Sequence, residues 1–331
     1  MTGQQLSGTE ISPGESRRTG EEIKAFKKHI YVLAMTVIGV TASVFVLSDL
    51  LWRFRDYLPF YNMFDDKSYF FIWLTNDIIV YLPALVIFGL AFRKHMDLRS
   101  PGEAYKFKMI WIIPFFLAVQ TSSVIMNYVS QFLAYLLRPV FGGGGLRDVF
   151  GNVMPQSGAQ FIIMLAAVGV VGPILEELIY RHCLLRPLRR YGDLQAVIIT
   201  SLLFGFFHGN LTQFLYTAAA GFFLGMAAVK ANSVIPAIII HIINNTYQVY
   251  YWGILLFAED SKSSSSMTAA FSWALVAAGA VVLIIMAVKR RFKLENSNPY
   301  IPGKERARII FQNPLVILMA AILIAVMIKG S

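Results

Sequence analysis

Of the 331 residues, 56% are hydrophobic and 15% are charged, whereas an ordinary soluble domain carries about 25% charged residues. The apolar excess falls in long runs, which excludes a soluble globular enzyme and points to lipid as the solvent. The net charge of +10 sits in short Lys/Arg clusters between those runs, so no basic face remains for nucleic acid, and the single cysteine, Cys183, excludes an intrachain disulfide.

Residues 1–28 form a polar stretch rich in Gly, Ser and Glu, expected to be disordered. It is too long and too acidic for the n-region of a cleaved signal peptide, so the first apolar run is expected to stay as a helix. Nine runs follow: Ile30–Trp52, Tyr69–Phe92, Met109–Leu137, Gln160–Leu185, Leu194–His208, Leu211–Val229, Val234–Phe257, Met267–Val288 and Pro314–Ile328. Most reach the roughly 20 residues that cross about 30 Å of hydrocarbon. Leu194–His208 is short and lies beside polar residues, which suggests an end in a protein-lined cavity. A cytoplasmic N-terminus places 22 of the 29 Lys and Arg on the inner side, the asymmetry of a multi-pass protein of the cell membrane. Gly142–Gly145 and Ser263–Ser266 read as flexible loop tips on the outer side.

The expected architecture is therefore an all-α polytopic membrane protein. About eight or nine transmembrane helices form one bundle around a polar intramembrane cavity. The bundle spans residues 29–292, and a basic linker with a peripheral last helix fills 293–331.

Ionisable groups deep in a span cost several kcal/mol and mark function by default. His29, His95 and His182 adjoin basic clusters at span ends and read as interfacial anchors. Asp77 follows Thr75 and Asn76 on the outer half, where a solvated position or a structural hydrogen bond explains it at least as well as a role in chemistry. The densest anomaly is Gly172-Pro173-Ile174-Leu175-Glu176-Glu177-Leu178-Ile179-Tyr180-Arg181. Adjacent carboxylates on a helix point about 100° apart, so they cannot share one environment. Glu177 and Arg181 have the i, i+4 spacing of a same-face ion pair, which leaves Glu176 for chemistry. Pro173 leaves a backbone carbonyl without its donor, and a kink there would admit water near Glu176. Two further i, i+4 pairs follow, Phe204 with His208 and His241 with Asn245. At about 1.5 Å per residue, Glu176, His208, His241 and Asn245 fall at compatible depths on one side of the membrane.

Serine chemistry of the rhomboid kind needs Gly-x-Ser-Gly, and site-two-type zinc chemistry needs His-Glu-x-x-His; neither is present. Presenilin-like aspartyl chemistry needs two intramembrane aspartates, and Asp77 has no such partner. Water activated by a glutamate remains, since burial makes a carboxylate a better base near neutral pH. His208 is suited to orient or polarise that water, and His241 with Asn245 to stabilise the tetrahedral oxyanion. The alternatives are a zinc site of Glu176, His208 and His241, a non-catalytic scaffold, and a proton-coupled transporter.

Glu176-Glu177-x-x-x-Arg181, Phe204-x-x-x-His208 and His241-x-x-x-Asn245 together resemble the three motifs of the CAAX-protease and bacteriocin-processing (CPBP, or Abi) family. The resemblance covers about 172–250, within a core of about 160–258. It implies intramembrane proteolysis with Glu176 and His208 activating water and His241 and Asn245 forming the oxyanion hole. Glu177, Arg181 and Phe204 would support the site, with no cofactor required, in a family formerly classed as metalloproteases. The implied partners are the lipid bilayer and a membrane-associated protein or peptide substrate, either CAAX-type or a bacteriocin or peptide signal. A non-catalytic role in bacteriocin immunity is the alternative within the same resemblance.

Overall fold

A computed structural model describes residues 13–54, 57, 81–95, 108–141, 155, 157–257, 261–294 and 298–330. Asp77 and the Gly142–Gly145 run lie outside them. Ten helical rods follow in chain order: α1 (Pro13–Phe54), α2 (Leu82–His95), α3 (Ile112–Phe141), α4 (Gly158–Tyr191), α5 (Asp193–Phe207), α6 (Leu211–Ala231), α7 (Ile235–Phe257), α8 (Ser261–Val288), α9 (Gly303–Phe311) and α10 (Pro314–Gly330). No strand occurs among the described residues, as an apolar solvent requires of any chain that does not close a barrel. The described parts of the nine expected runs are helical except for the terminal residues His208 and Val234.

Among the described residues five helices are long and apolar enough to cross a bilayer, or six if α9 and α10, bent by 64°, count as one span. The expected eight or nine is therefore not reached by this measure. Two shorter apolar helices are Asp193–Phe207 and Leu82–Ala91, the latter belonging to the Tyr69–Phe92 run, which is described only from residue 81. A short helix can remain in the bilayer where other protein covers its ends.

Three local expectations change. From Pro13 onward the polar tail is helical and continuous with the first span. Ser263–Ser266 lies inside α8 rather than at a loop tip. The last helix is not peripheral: α10 packs on α1, and its Leu323 and Met327 are buried.

The helix boundaries have local causes. Ser157 caps α4 by accepting from the Gln160 amide at 3.2 Å, and Asn210 caps α6 by accepting from the Gln213 amide at 2.8 Å. Gly192, at φ 132°, makes the reversal from α4 into α5, a backbone shape that side chains disfavour. Helix α6 ends on Asn232 in the left-handed conformation.

In the bundle, α6 packs between α3 and α5, α8 covers α3, α7 lies along the first half of α4, and α2 lies along its second half. At the turn between α4 and α5 Glu22, Arg190 and Asn298 are linked, Arg190 Nη2 donating to Glu22 Oε1 at 2.6 Å. His29 is not an interfacial anchor but a buried partner of the Tyr191 hydroxyl. Arg189 holds the same turn from inside. Its Nε meets Asp193 Oδ1 at 2.7 Å and its Nη1 donates to Asn232 Oδ1 at 2.7 Å.

The Arg189 and Asp193 side chains are 4% and 0% exposed. Removing one partner of a buried pair costs about 3–5 kcal/mol, because the other charge is stranded. Arg189→Ala should therefore sharply reduce the yield and thermal midpoint of purified protein, measured by size-exclusion chromatography and thermal unfolding in detergent.

Candidate active site

The site begins with a break in backbone regularity. Within α4 the α-helical stretch Gly172–Glu177 lies between two π-helical stretches, Leu165–Val171 and Leu178–Leu185. Gly172 N–H donates five residues back, to Ala167 O. The next residue, Pro173, has no N–H to give. The carbonyls five and four residues before it, Val168 and Gly169, therefore lose their donor. Both are met from α7. Asn245 Nδ2 donates to Val168 O at 3.0 Å, and Thr246 Oγ1 to Gly169 O at 3.4 Å. Gly169 allows the approach, since a Cβ there would stand 3.2 Å from Thr246 Oγ1. The disturbance expected at Pro173 is thus a π-helical widening that anchors one candidate residue, Asn245.

One turn further, the expected ion pair is present. Arg181 Nε stands 3.1 Å from Glu177 Oε2, and both side chains are 0% exposed. The contact is a charge approach rather than an aligned hydrogen bond, since neither atom has a hydrogen-bond partner among the described residues. Arg181 is held further by Nη2 donating to Gly221 O at 3.2 Å and by its guanidinium lying 5.2 Å from the Phe204 ring centroid.

The other oxygen of Glu177 is 3.0 Å from His241 Nδ1. A carboxylate only accepts, so the imidazole proton sits on Nδ1. The His241 Nε2 atom then faces Glu176 Oε2 at 3.6 Å. His241 therefore bridges the two carboxylates rather than standing with Asn245 alone. The Asn245 side chain takes a second bond, accepting from Asn244 Nδ2 at 3.2 Å.

His208 closes α5, its Nδ1 lying 2.8 Å from Phe204 O. That carbonyl fixes the tautomer and leaves Nε2 as the acceptor of a neutral ring. The Phe204 ring stands edge-on to both histidines, at 4.9 Å from His208 and 5.7 Å from His241. Glu176, Phe204, His208, His241 and Asn245 all line one cavity of about 690 Å³, while Glu177 and Arg181 lie behind its wall. The three motifs, on α4, α5 and α7, are brought together as expected. Among the described residues no three His, Cys, Asp or Glu side chains are grouped to hold a metal ion.

Sequence reasoning misses Tyr81. Its hydroxyl donates to Glu176 Oε1 from the start of α2. The run Ile-Ile-Val-Tyr-Leu-Pro around it gives no signal beyond an aromatic residue in an apolar stretch.

Fold and site together define a class: an integral membrane protein of packed helices with a buried Glu/His cluster on an intramembrane cavity. Residues 158–247 match the family model described as "Type II CAAX prenyl endopeptidase Rce1-like". That segment begins at the first residue of α4 and contains all three motifs. Over 227 residues the chain is 24% identical to the "Putative membrane peptidase YdiL" of Bacillus subtilis (strain 168), covering 67% of this chain and 88% of that protein. No solved structure matches the chain. The family resemblance carried by the motifs is borne out.

Because Glu177 and Arg181 are both fully buried, Arg181→Ala or Glu177→Ala should destabilise the protein by about 3–5 kcal/mol. Thermal unfolding of each variant in detergent measures this. An Arg181→Ala protein as stable as wild type would show that the pair does not hold the fold.

Proposed function

We propose that this chain is an intramembrane endopeptidase that hydrolyses peptide bonds of membrane-associated proteins or peptides through water activated by Glu176. The observation that carries the reading is the convergence of Glu176, His208, His241 and Asn245 on one cavity wall. In this reading a water molecule sits between Glu176 Oε2 and His208 Nε2. Glu176 takes its proton as the oxygen attacks the scissile carbonyl carbon, and the carbonyl oxygen gains the negative charge. Asn245 has a second amide N–H, beyond the one given to Val168, to offer that oxyanion. His241 contributes there when it carries both ring protons, one towards Glu177 and one towards the cavity. The proton on Glu176 then passes to the leaving nitrogen as the C–N bond breaks.

Low dielectric strengthens each of these interactions, and the fixed tethers of His208, His241 and Asn245 limit reorganisation during reaction. The family description adds a substrate class, prenylated CAAX-type chains, beside which bacteriocin or peptide-signal processing remains a second source of the same chemistry. The bilayer presents such substrates to the cavity in two dimensions. The charge asymmetry supports a cytoplasmic N-terminus in the cell membrane, with a catalytic core at about 160–258.

Two measurements test the reading. Comparing membrane proteomes of cells carrying wild type and Glu176→Gln should reveal new termini only with the wild type, at unchanged protein level. Identical termini in both would remove Glu176 from the chemistry. Exhaustive chelation of purified protein should leave cleavage of a substrate so identified unchanged, with no stoichiometric zinc by elemental analysis. Loss on chelation restored by zinc alone would favour the zinc alternative.

A further inference from the structure

The Tyr81 contact lies outside the matched segment and outside every motif, yet it reaches the carboxylate that the proposed chemistry uses. Glu176 presents two oxygens. Oε1 accepts from the Tyr81 hydroxyl, and Oε2 faces His241 Nε2 at 3.6 Å. A carboxylate at the end of a flexible side chain rotates about its last torsion with little preference, since that torsion is broad and roughly two-fold. The hydrogen bond from Tyr81 to one of the two oxygens removes much of that freedom.

Tyr81 is itself held. It stands at the start of α2, packed against the main apolar core, and it lines the same cavity as Glu176. Neighbouring Ala84 and Phe88 on α2 are buried and line the cavity too. Helix α2 packs along the Leu178–Leu185 stretch of α4, directly after Glu176 and Glu177. The phenol is therefore delivered by a packed helix, not by a loose loop, and a positioning group on a packed element holds geometry best.

We infer that Tyr81 is a positioning residue for Glu176: it claims Oε1 and so leaves Oε2 as the oxygen that takes the proton from water. This rests on the glutamate reading above. Its consequence is that the active site is not complete within residues 158–247. The N-terminal half supplies one side of the carboxylate's setting.

The substitution Tyr81→Phe removes one oxygen atom and keeps the ring in its packing. A displacement of about 1 Å in a reacting group can cost 10²-fold, so the expected effect is a fall in kcat of about 10–100-fold. KM should stay within about twofold, because the hydroxyl holds the base rather than the substrate. The substrate is the one identified by the proteome comparison, assayed with purified full-length protein in liposomes. Glu176→Gln and the double variant are measured alongside. In thermal unfolding Tyr81→Phe should be non-additive with Glu176→Ala, which removes the acceptor, as contacting residues are. Once Glu176 is Gln, Tyr81→Phe should cost no further turnover.

The outcomes separate. If Glu176→Gln is inactive while Tyr81→Phe turns over at the wild-type rate, the Tyr81 inference falls and the glutamate reading stands. If Glu176→Gln retains wild-type turnover, the glutamate reading itself falls. A Tyr81→Phe protein with raised KM and unchanged kcat would make Tyr81 a substrate contact and overturn its positioning role. Strict additivity in stability would show that the hydroxyl and the carboxylate do not meet.

Discussion

A charge buried in an apolar bundle must find its opposite, and in this molecule Glu177 is where that demand is met twice. One oxygen faces Arg181 and the other His241. Arg181 in turn reaches the Gly221 carbonyl and the Phe204 ring, so a single carboxylate ties α4 to α5, α6 and α7. Without it the buried Arg181 charge would be stranded. Burial of an ion pair is weak evidence for net stability, but losing half of one is costly. The pair thus constrains where His241 can stand, and through Nε2 it constrains the neighbouring Glu176 as well. Two adjacent glutamates divide the work because a helix points them in different directions: one faces the protein and one faces the cavity.

A second constraint comes from an atom that is missing. Proline has no amide hydrogen, and in a membrane water cannot replace it freely. Pro173 therefore makes α4 depend on α7 for two hydrogen bonds, from Asn245 and Thr246. Secondary structure and site geometry are the same fact here. The side chain proposed to meet the oxyanion is fixed by the backbone defect one turn before the proposed base.

Much of this is legible in the sequence. Helical spacing alone pairs Glu177 with Arg181, and hydropathy alone places helices at all nine runs. The three motifs, each at i, i+4, converge as their depths require. Other features need the third dimension. The His241–Glu177 contact joins residues 64 apart, and nothing in either motif names the other as its partner. Tyr81 is invisible because an aromatic residue in an apolar run is what lipid-facing and core positions also show. His29 reads as an anchor from its basic neighbours, yet its Tyr191 partner lies 162 residues away. The C-terminal helix reads as peripheral because the linker before it is polar, whereas the 64° bend after α9 turns it back onto α1. The span count differs in part because the Tyr69–Phe92 run is described only from residue 81, while the Asp193–Phe207 helix is short in itself.

The cavity wall includes Thr41 and Phe45 on α1 and Leu323 and Val326 on α10. Its lining is thus drawn from helices about 280 residues apart in the chain, which pack on each other. A substitution that disturbs the α1–α10 contact would therefore reshape the chamber without touching any motif residue.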